Sequence, residues 1–239
     1  MSLLSWRSQV RNVKSQFVNL LFPPVCVCCR KVGEILCQDC LGQVNWVEEP
    51  ICQDCGRTVS RSMSHCDGCR KRPLPLKQIR AAVLFDKIIP DTIHQLKYRN
   101  TFGLAEPLGK LMVHAWPTWA TNIDIVLPIP LHSQRQKKRG YNQSALLVKT
   151  FCRELSLPSN QQTLIRTRKT PPQVGLNAKE RQTNVSGAFA VKNQHAIKGG
   201  NILLVDDVCT TGATLIAATE ALLAAGVNTV SAYCLARAM

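Results

Sequence analysis

The sequence predicts an α/β fold, a mostly parallel sheet flanked by helices, with a small metal-stabilised domain ahead of it. Three observations predict it. Cysteines crowd into the first third of the chain, short β-rich runs alternate with helical stretches after residue 76, and one apolar run ends in two acids followed by a Thr/Gly turn. The 239 residues are 45% hydrophobic and 19% charged, which suits a packed protein and is too apolar for a disordered one. No run of about 18 apolar residues occurs, as a membrane-spanning helix would need. Arg7, Arg11 and Lys14 interrupt the apolar pattern of the first 25 residues. Neither a membrane span nor a secretory signal fits, and the chain reads as cytoplasmic.

In chain order, residues 1–25 place Leu3, Trp6, Val10, Val13, Phe17 and Leu20 at helical spacing between basic and polar residues, the pattern of an amphipathic helix docked on the protein body. Four C-x-x-C pairs follow: Cys26/Cys29, Cys37/Cys40, Cys52/Cys55 and Cys66/Cys69. Two residues between thiolates let a tight turn aim both sulfurs at one tetrahedral ion, so four such knuckles imply two structural Zn2+ sites. Spacers of 7, 11 and 10 residues allow consecutive ribbons or an interleaved pairing, of which the consecutive one is favoured. Few large apolar side chains lie between these cysteines, so metal supplies the folding energy of residues 26–76.

Residues 77–239 form the α/β domain. Strands are predicted at 81–85, 124–127, 163–165, 187–191, 201–205 and 229–234, and helices at 91–98, 104–114, 143–155 and 214–225. In such folds ligands sit at the carboxyl ends of strands. The run Ile202-Leu203-Leu204-Val205 suits a central strand buried on both faces. Asp206 and Asp207 follow it, and then Thr210, Thr211, Gly212, Ala213 and Thr214 lead into a helix. That turn offers backbone N–H groups and hydroxyls at a helix N-terminus, where a phosphate is held without a cationic side chain. Two carboxylates beside a phosphate would repel it unless they engage hydroxyls or a cation, so they fit a ribose diol and a Mg2+ ion.

This constellation resembles the phosphoribosyl pyrophosphate (PRPP) signature of type I phosphoribosyltransferases. Leu127-Pro128-Ile129-Pro130, Arg139-Gly140-Tyr141-Asn142-Gln143, Leu96-Lys97-Tyr98-Arg99, and Gln173 with Arg181 and Asn184 are similar to elements of the ComF family, with Tyr141 where Phe is usual. With the knuckles, the resemblance covers nearly the whole chain. It implies a type I phosphoribosyltransferase-like fold behind a double zinc ribbon, PRPP binding with Mg2+, and a link to DNA uptake in competent bacteria. By the same resemblance Asp206 and Asp207 contact ribose and Mg2+, Thr210 to Thr214 hold the 5-phosphate, and the turn at Pro128 to Pro130 is the pyrophosphate loop. Arg135, Arg139 and Arg181 are candidate pyrophosphate clamps. The segment from Arg166 to Asn184 has the composition of a lid.

Charge is concentrated in the same region, with 13 Lys and Arg between Pro130 and Gly200 against only Glu154 and Glu180. Such a field attracts a polyphosphorylated metabolite or a nucleic acid. Two functions follow: a Mg2+-dependent phosphoribosyltransferase, for which purine, pyrimidine, amine and nucleic-acid acceptors all stay open, or a protein that handles single-stranded DNA and keeps the PRPP fold as sensor or scaffold. Aromatic residues at 5% weigh against a stacking platform for bases.

Overall fold

A computed structural model describes residues 23–116, 122–171 and 177–238. Apart from its last residues, the amphipathic helix expected over 1–25 lies outside them, as does Gln173. The chain packs as two compact units, Met1–Gln43 and Val44–Met239. By packing, the third and fourth knuckles belong to the unit that carries the sheet. Backbone bonds explain this, because Val47 N donates to Ala82 O at 3.1 Å and Ile79 N to Asp54 O at 2.6 Å.

In the first unit a knuckle turn precedes the short helix α1 (Gln38–Leu41), and in the second a matching turn precedes α2 (Asp67–Lys71). The sheet strands are β1 (Ile79–Leu84), β2 (Ile125–Pro128), β5 (Asn201–Cys209) and β6 (Thr229–Arg237), in the order β1-β6-β5-β2. Every pairing is parallel. β3 (Leu164–Arg166) and β4 (Phe189–Val191) form a separate antiparallel pair. The helices are α3 (Ile89–Tyr98), α4 (Ala105–His114), α5 (Ser133–Arg139), α6 (Gln143–Leu155), α7 (Ala178–Val185) and α8 (Ala213–Ala224).

Because β5 pairs on both edges and is covered on both faces, Ile202, Leu203, Leu204 and Val205 are all buried, as a continuous apolar run requires. Helices α4 and α6 pack on each other and on one face, and α8 packs against β6, β4 and α7. The strand does not stop at Val205, as the sequence suggests, but runs on through Asp206 and Asp207 to Cys209. Ladder bonds to β6 carry it there, with Asp206 opposite Cys234 and Cys209 opposite Arg237. The lid-like segment is in part regular: residues 172–176 lie outside the described chain, and 178–185 form α7. Among the described residues no helix is long and apolar enough to cross a membrane.

Candidate functional site

Since all four strands run the same way, their carboxyl ends share one edge, and a cleft of about 570 Å³ opens there. Asp206, Asp207 and Val208 of β5 line it, beside Ile129 and Pro130 where the chain leaves β2. The acids are 9% and 3% exposed. Burying a carboxylate is unfavourable unless it gains partners, and both have them. Lys97 at the end of α3 pairs with Asp207 Oδ2, and Gln143 Nε2 donates to Asp207 Oδ1 at 3.1 Å. Ser144 Oγ and the Asp207 N–H both donate to Asp206 Oδ1, each at 2.9 Å. The two acids therefore diverge. Burial and the neighbouring Asp207 charge push the Asp206 carboxyl up to about 8. At Asp207 burial works the other way from its partners, and Lys97 and Gln143 win, holding its pKa below the ordinary range.

The segment from Arg139 to Gln143 has one task per residue. Gly140 closes α5, and the hydroxyl of buried Tyr141 donates to Leu96 O, fixing the turn of α3 that presents Lys97. Asn142 caps α6 by accepting from Ser144 N at 3.1 Å, while its Nδ2 donates to Ile129 O at 3.0 Å and ties down the loop after β2. Such a cap contributes about 1 kcal/mol. Gln143 then reaches Asp207, and Arg139 donates to the Gln143 amide oxygen.

Cations line the outer walls. Arg139 lies 5.0 Å from the Tyr98 ring centre, and Arg135 Nη2 donates to Thr170 O at 3.2 Å. Arg166, at the end of β3, donates to Thr170 Oγ1 and sits 5.4 Å from the Phe189 ring centre. Its buried Nε has no hydrogen-bond partner among the described residues. Burial, then the nearby Arg135 charge, lowers the Arg166 pKa. Among the described residues none of these three arginines is in an ion pair. Like charges held together with no ion-pair partner favour an anion between them. Arg181 is on α7, half-buried, and is not among the cleft-lining residues.

A small hollow of about 30 Å³ adjoins the cleft, bordered by Thr210, Gly212, Ala213 and Thr214. Asp206 and Thr214 border both spaces. Gly212 is the residue before α8, with φ +81°, a conformation that costs a β-branched residue most. Thr211 Oγ1 accepts from Ala213 N at 3.4 Å, at the N-terminal turn of α8.

The cysteines gather as two sets, Cys26, Cys29, Cys37, Cys40 and Cys52, Cys55, Cys66, Cys69, with sulfurs within 4.8 Å of one another in each. Pairing is consecutive. Zinc–sulfur bonds of about 2.3 Å in a tetrahedron space the sulfurs about 3.8 Å apart. Cys26 and Cys40 are 3.8 Å apart, Cys29 and Cys37 3.5 Å, Cys55 and Cys66 3.7 Å, so both sets fit zinc. His65, next to Cys66, contacts Asp54 and Ser64.

Asp206, Asp207, Thr210, Gly212, Ala213, Thr214, Arg135 and Arg139 thus meet at one edge. Sequence reasoning did not assign Lys97, Gln143, Ser144 or Arg166 to it. Lys97 and Gln143 stand inside the short runs noted above, but their link to Asp207 spans the fold.

Two family models match the chain, one to each of its two kinds of site. A double zinc ribbon domain model matches residues 17–71 and a phosphoribosyl transferase domain model residues 142–239. Competence protein F of Haemophilus influenzae is 31% identical over 225 residues, covering 89% of this chain and 96% of that protein. Competence protein ComFC of Bacillus subtilis is 30% identical over 224 residues, 87% of this chain and 86% of that one. The DNA utilization protein YhgH of Shigella flexneri is 29% identical over 229 residues, 92% of this chain and all of its own length.

Proposed function

The chain belongs to the ComF family, and from that premise we propose that it is a Mg2+-dependent, PRPP-binding phosphoribosyltransferase-like protein that acts in the cytoplasm in DNA uptake and use. The observation that carries the proposal is the buried acid pair at the end of the central strand, followed at once by the Gly212 turn. In this reading the 5-phosphate enters the hollow at Thr210 to Thr214, where N–H groups and the helix dipole hold it. Asp206 and Asp207 face the ribose hydroxyls. The pyrophosphate lies towards Arg135, Arg139 and Arg166, with the chain after Pro128 beneath it. The two carboxylates are hard oxygen donors of the kind Mg2+ takes, and the ion would supply further charge neutralisation at the pyrophosphate.

Departure of pyrophosphate leaves a cationic ribose and concentrates negative charge on the leaving group. Preorganised guanidinium groups stabilise that charge with little reorganisation. Arg166, which lines the cleft beside Arg135 and Arg139, is one of them. No nucleophilic side chain is required.

Calorimetric titration with PRPP, with and without Mg2+, tests the proposal. Saturable binding that needs Mg2+ is expected. A second function, single-stranded DNA handling with the PRPP fold as sensor or scaffold, is favoured by the cations at the cleft rim and by the names of the relatives. Absence of a PRPP signal together with salt-sensitive DNA binding would establish it instead.

A further inference from the structure

The two zinc ribbons repeat one design, and comparing them position by position shows where the second departs. In each, the residue four places after the first cysteine is left-handed, Arg30 and Gly56, both at φ 66°. Arg30 is exposed and tolerates its side chain there. At Gly56 a Cβ atom would lie 2.6 Å from Ile79 O, closer than packing permits, so the glycine is required by what the second knuckle rests on. Ile79, 1% exposed, also donates its N–H to Asp54 O between Cys52 and Cys55.

The other side of Ile79 faces the turn before α8. A Cβ on Gly212 would lie 3.2 Å from Ile79 Cδ1. Ile79 is therefore clasped between the two left-handed glycines, one in a metal knuckle and one in the phosphate turn. A second connection runs beside it. Arg237, 2% exposed, donates to the sulfur of Cys209, which borders the hollow. The same guanidinium acts electrostatically on Cys55. A buried cation needs a counter-charge, and a zinc ion with four thiolates carries a net negative charge that would provide it.

We propose that the second four-cysteine site, formed by Cys52, Cys55, Cys66 and Cys69, positions the phosphate turn through Ile79 and Arg237, so that metal at this site and anion binding at Thr210 to Thr214 are linked. Ile79 is a positioning residue. The first site has no part in this link. The inference takes from the proposed function only that the turn is the phosphate subsite. Linkage is reciprocal, so an anion in the turn also tightens binding of the second metal.

Amide hydrogen exchange of the zinc-loaded full chain, read over residues 209–217 by mass spectrometry, tests the link without any ligand. Ile79→Val removes only the Cδ1 atom that faces Gly212. It should keep two zinc ions per chain and yet speed exchange over 209–217 about tenfold, as local opening becomes easier, with exchange at Leu203 to Val205 unchanged. Ile79→Leu should restore part of the protection. Cys66→Ser should accelerate the same segment, whereas Cys37→Ser should leave it alone. If Cys66→Ser unfolds the sheet, Leu203 to Val205 will exchange too, and Ile79→Val alone decides. Parent-like exchange in Ile79→Val overturns the proposal. In a second arm, PRPP with Mg2+ should raise the affinity for one zinc ion and not the other, read by equilibrium competition with a zinc-selective chelator. If PRPP binds and changes neither affinity, the link fails. If PRPP does not bind at all, the proposed function fails, and the exchange comparison still decides the link.

Discussion

Asp206 and Asp207 are adjacent in sequence, yet each meets different partners, and this difference governs their titration. The pKa of Asp206 is about 8 in the folded chain, while an unfolded aspartate ionises near pH 3.9. Between those values the unfolded state binds fewer protons, so this group makes stability fall as pH rises through that window. Asp206→Asn should flatten this decline, which denaturant titrations at pH 5 and pH 8 would measure. For the same reason Mg2+–PRPP binding near pH 7 should release close to one proton, detected by calorimetry in buffers of different ionisation enthalpy, and the Asn variant should release none. A parent protein that releases no proton would contradict the assignment of Asp206 to the bound complex. At Gly212 the argument is steric, because φ is +81° and Ile79 Cδ1 lies close. Gly212→Val, like Asp207→Asn, should weaken PRPP binding at least tenfold, about 1.4 kcal/mol, with a native circular dichroism spectrum.

At the scale of elements, helix–loop junctions do most of the positioning. The end of α3 presents Lys97, the start of α6 presents Gln143 and Ser144, and Tyr141 joins the two by donating to Leu96 O. The zinc ribbons act at the same scale, since too few apolar residues surround either cluster for a core of its own. Metal analysis should return two zinc ions per chain. Cys37→Ser should lose one ion and leave the thermal transition of the sheet-bearing unit in place, because Val44–Met239 is a compact unit by itself. Loss of that transition on removing the first site would show that the units do not fold separately.

Over the whole molecule, the formal net charge of +15 sets a broad attraction for anions, but the cleft selects among cations by position. Arg135 and Arg139 line it, whereas Lys149, Lys192 and Lys198 do not. Arg135→Gln and Arg139→Gln should therefore lose PRPP affinity selectively. A triple Lys149→Gln, Lys192→Gln and Lys198→Gln variant should keep PRPP binding and lower the salt slope of single-stranded DNA binding, by about one unit for each phosphate contact removed. Titrations across a salt series would separate the two effects. If the triple variant loses PRPP as badly as Arg139→Gln, the basic stretch acts as a diffuse field and not as a clamp.

What the sequence determined alone is whatever rests on local spacing. Knuckle pairs, the apolar run of the central strand, the order of strands and helices after residue 76, and the Thr/Gly turn are each set within a dozen residues, where periodicity and turn chemistry act. Helix α6 runs from Gln143 to Leu155 as its pattern predicts. Short α5 and α7 escaped notice because a run of basic and polar residues carries no apolar period. Tertiary structure decided what depends on contacts between distant segments. Consecutive pairing of the knuckles, extension of β5 through its acids, the Lys97 and Gln143 partners of Asp207, and the inclusion of Arg166 but not Arg181 in the cleft wall belong here. Lys97 and Asp207 are over a hundred residues apart in the chain and meet only because α3 ends, and β5 runs out, at the same edge of the sheet. The charge of one is acceptable in that buried place because of the charge of the other, and no local pattern in either segment records it.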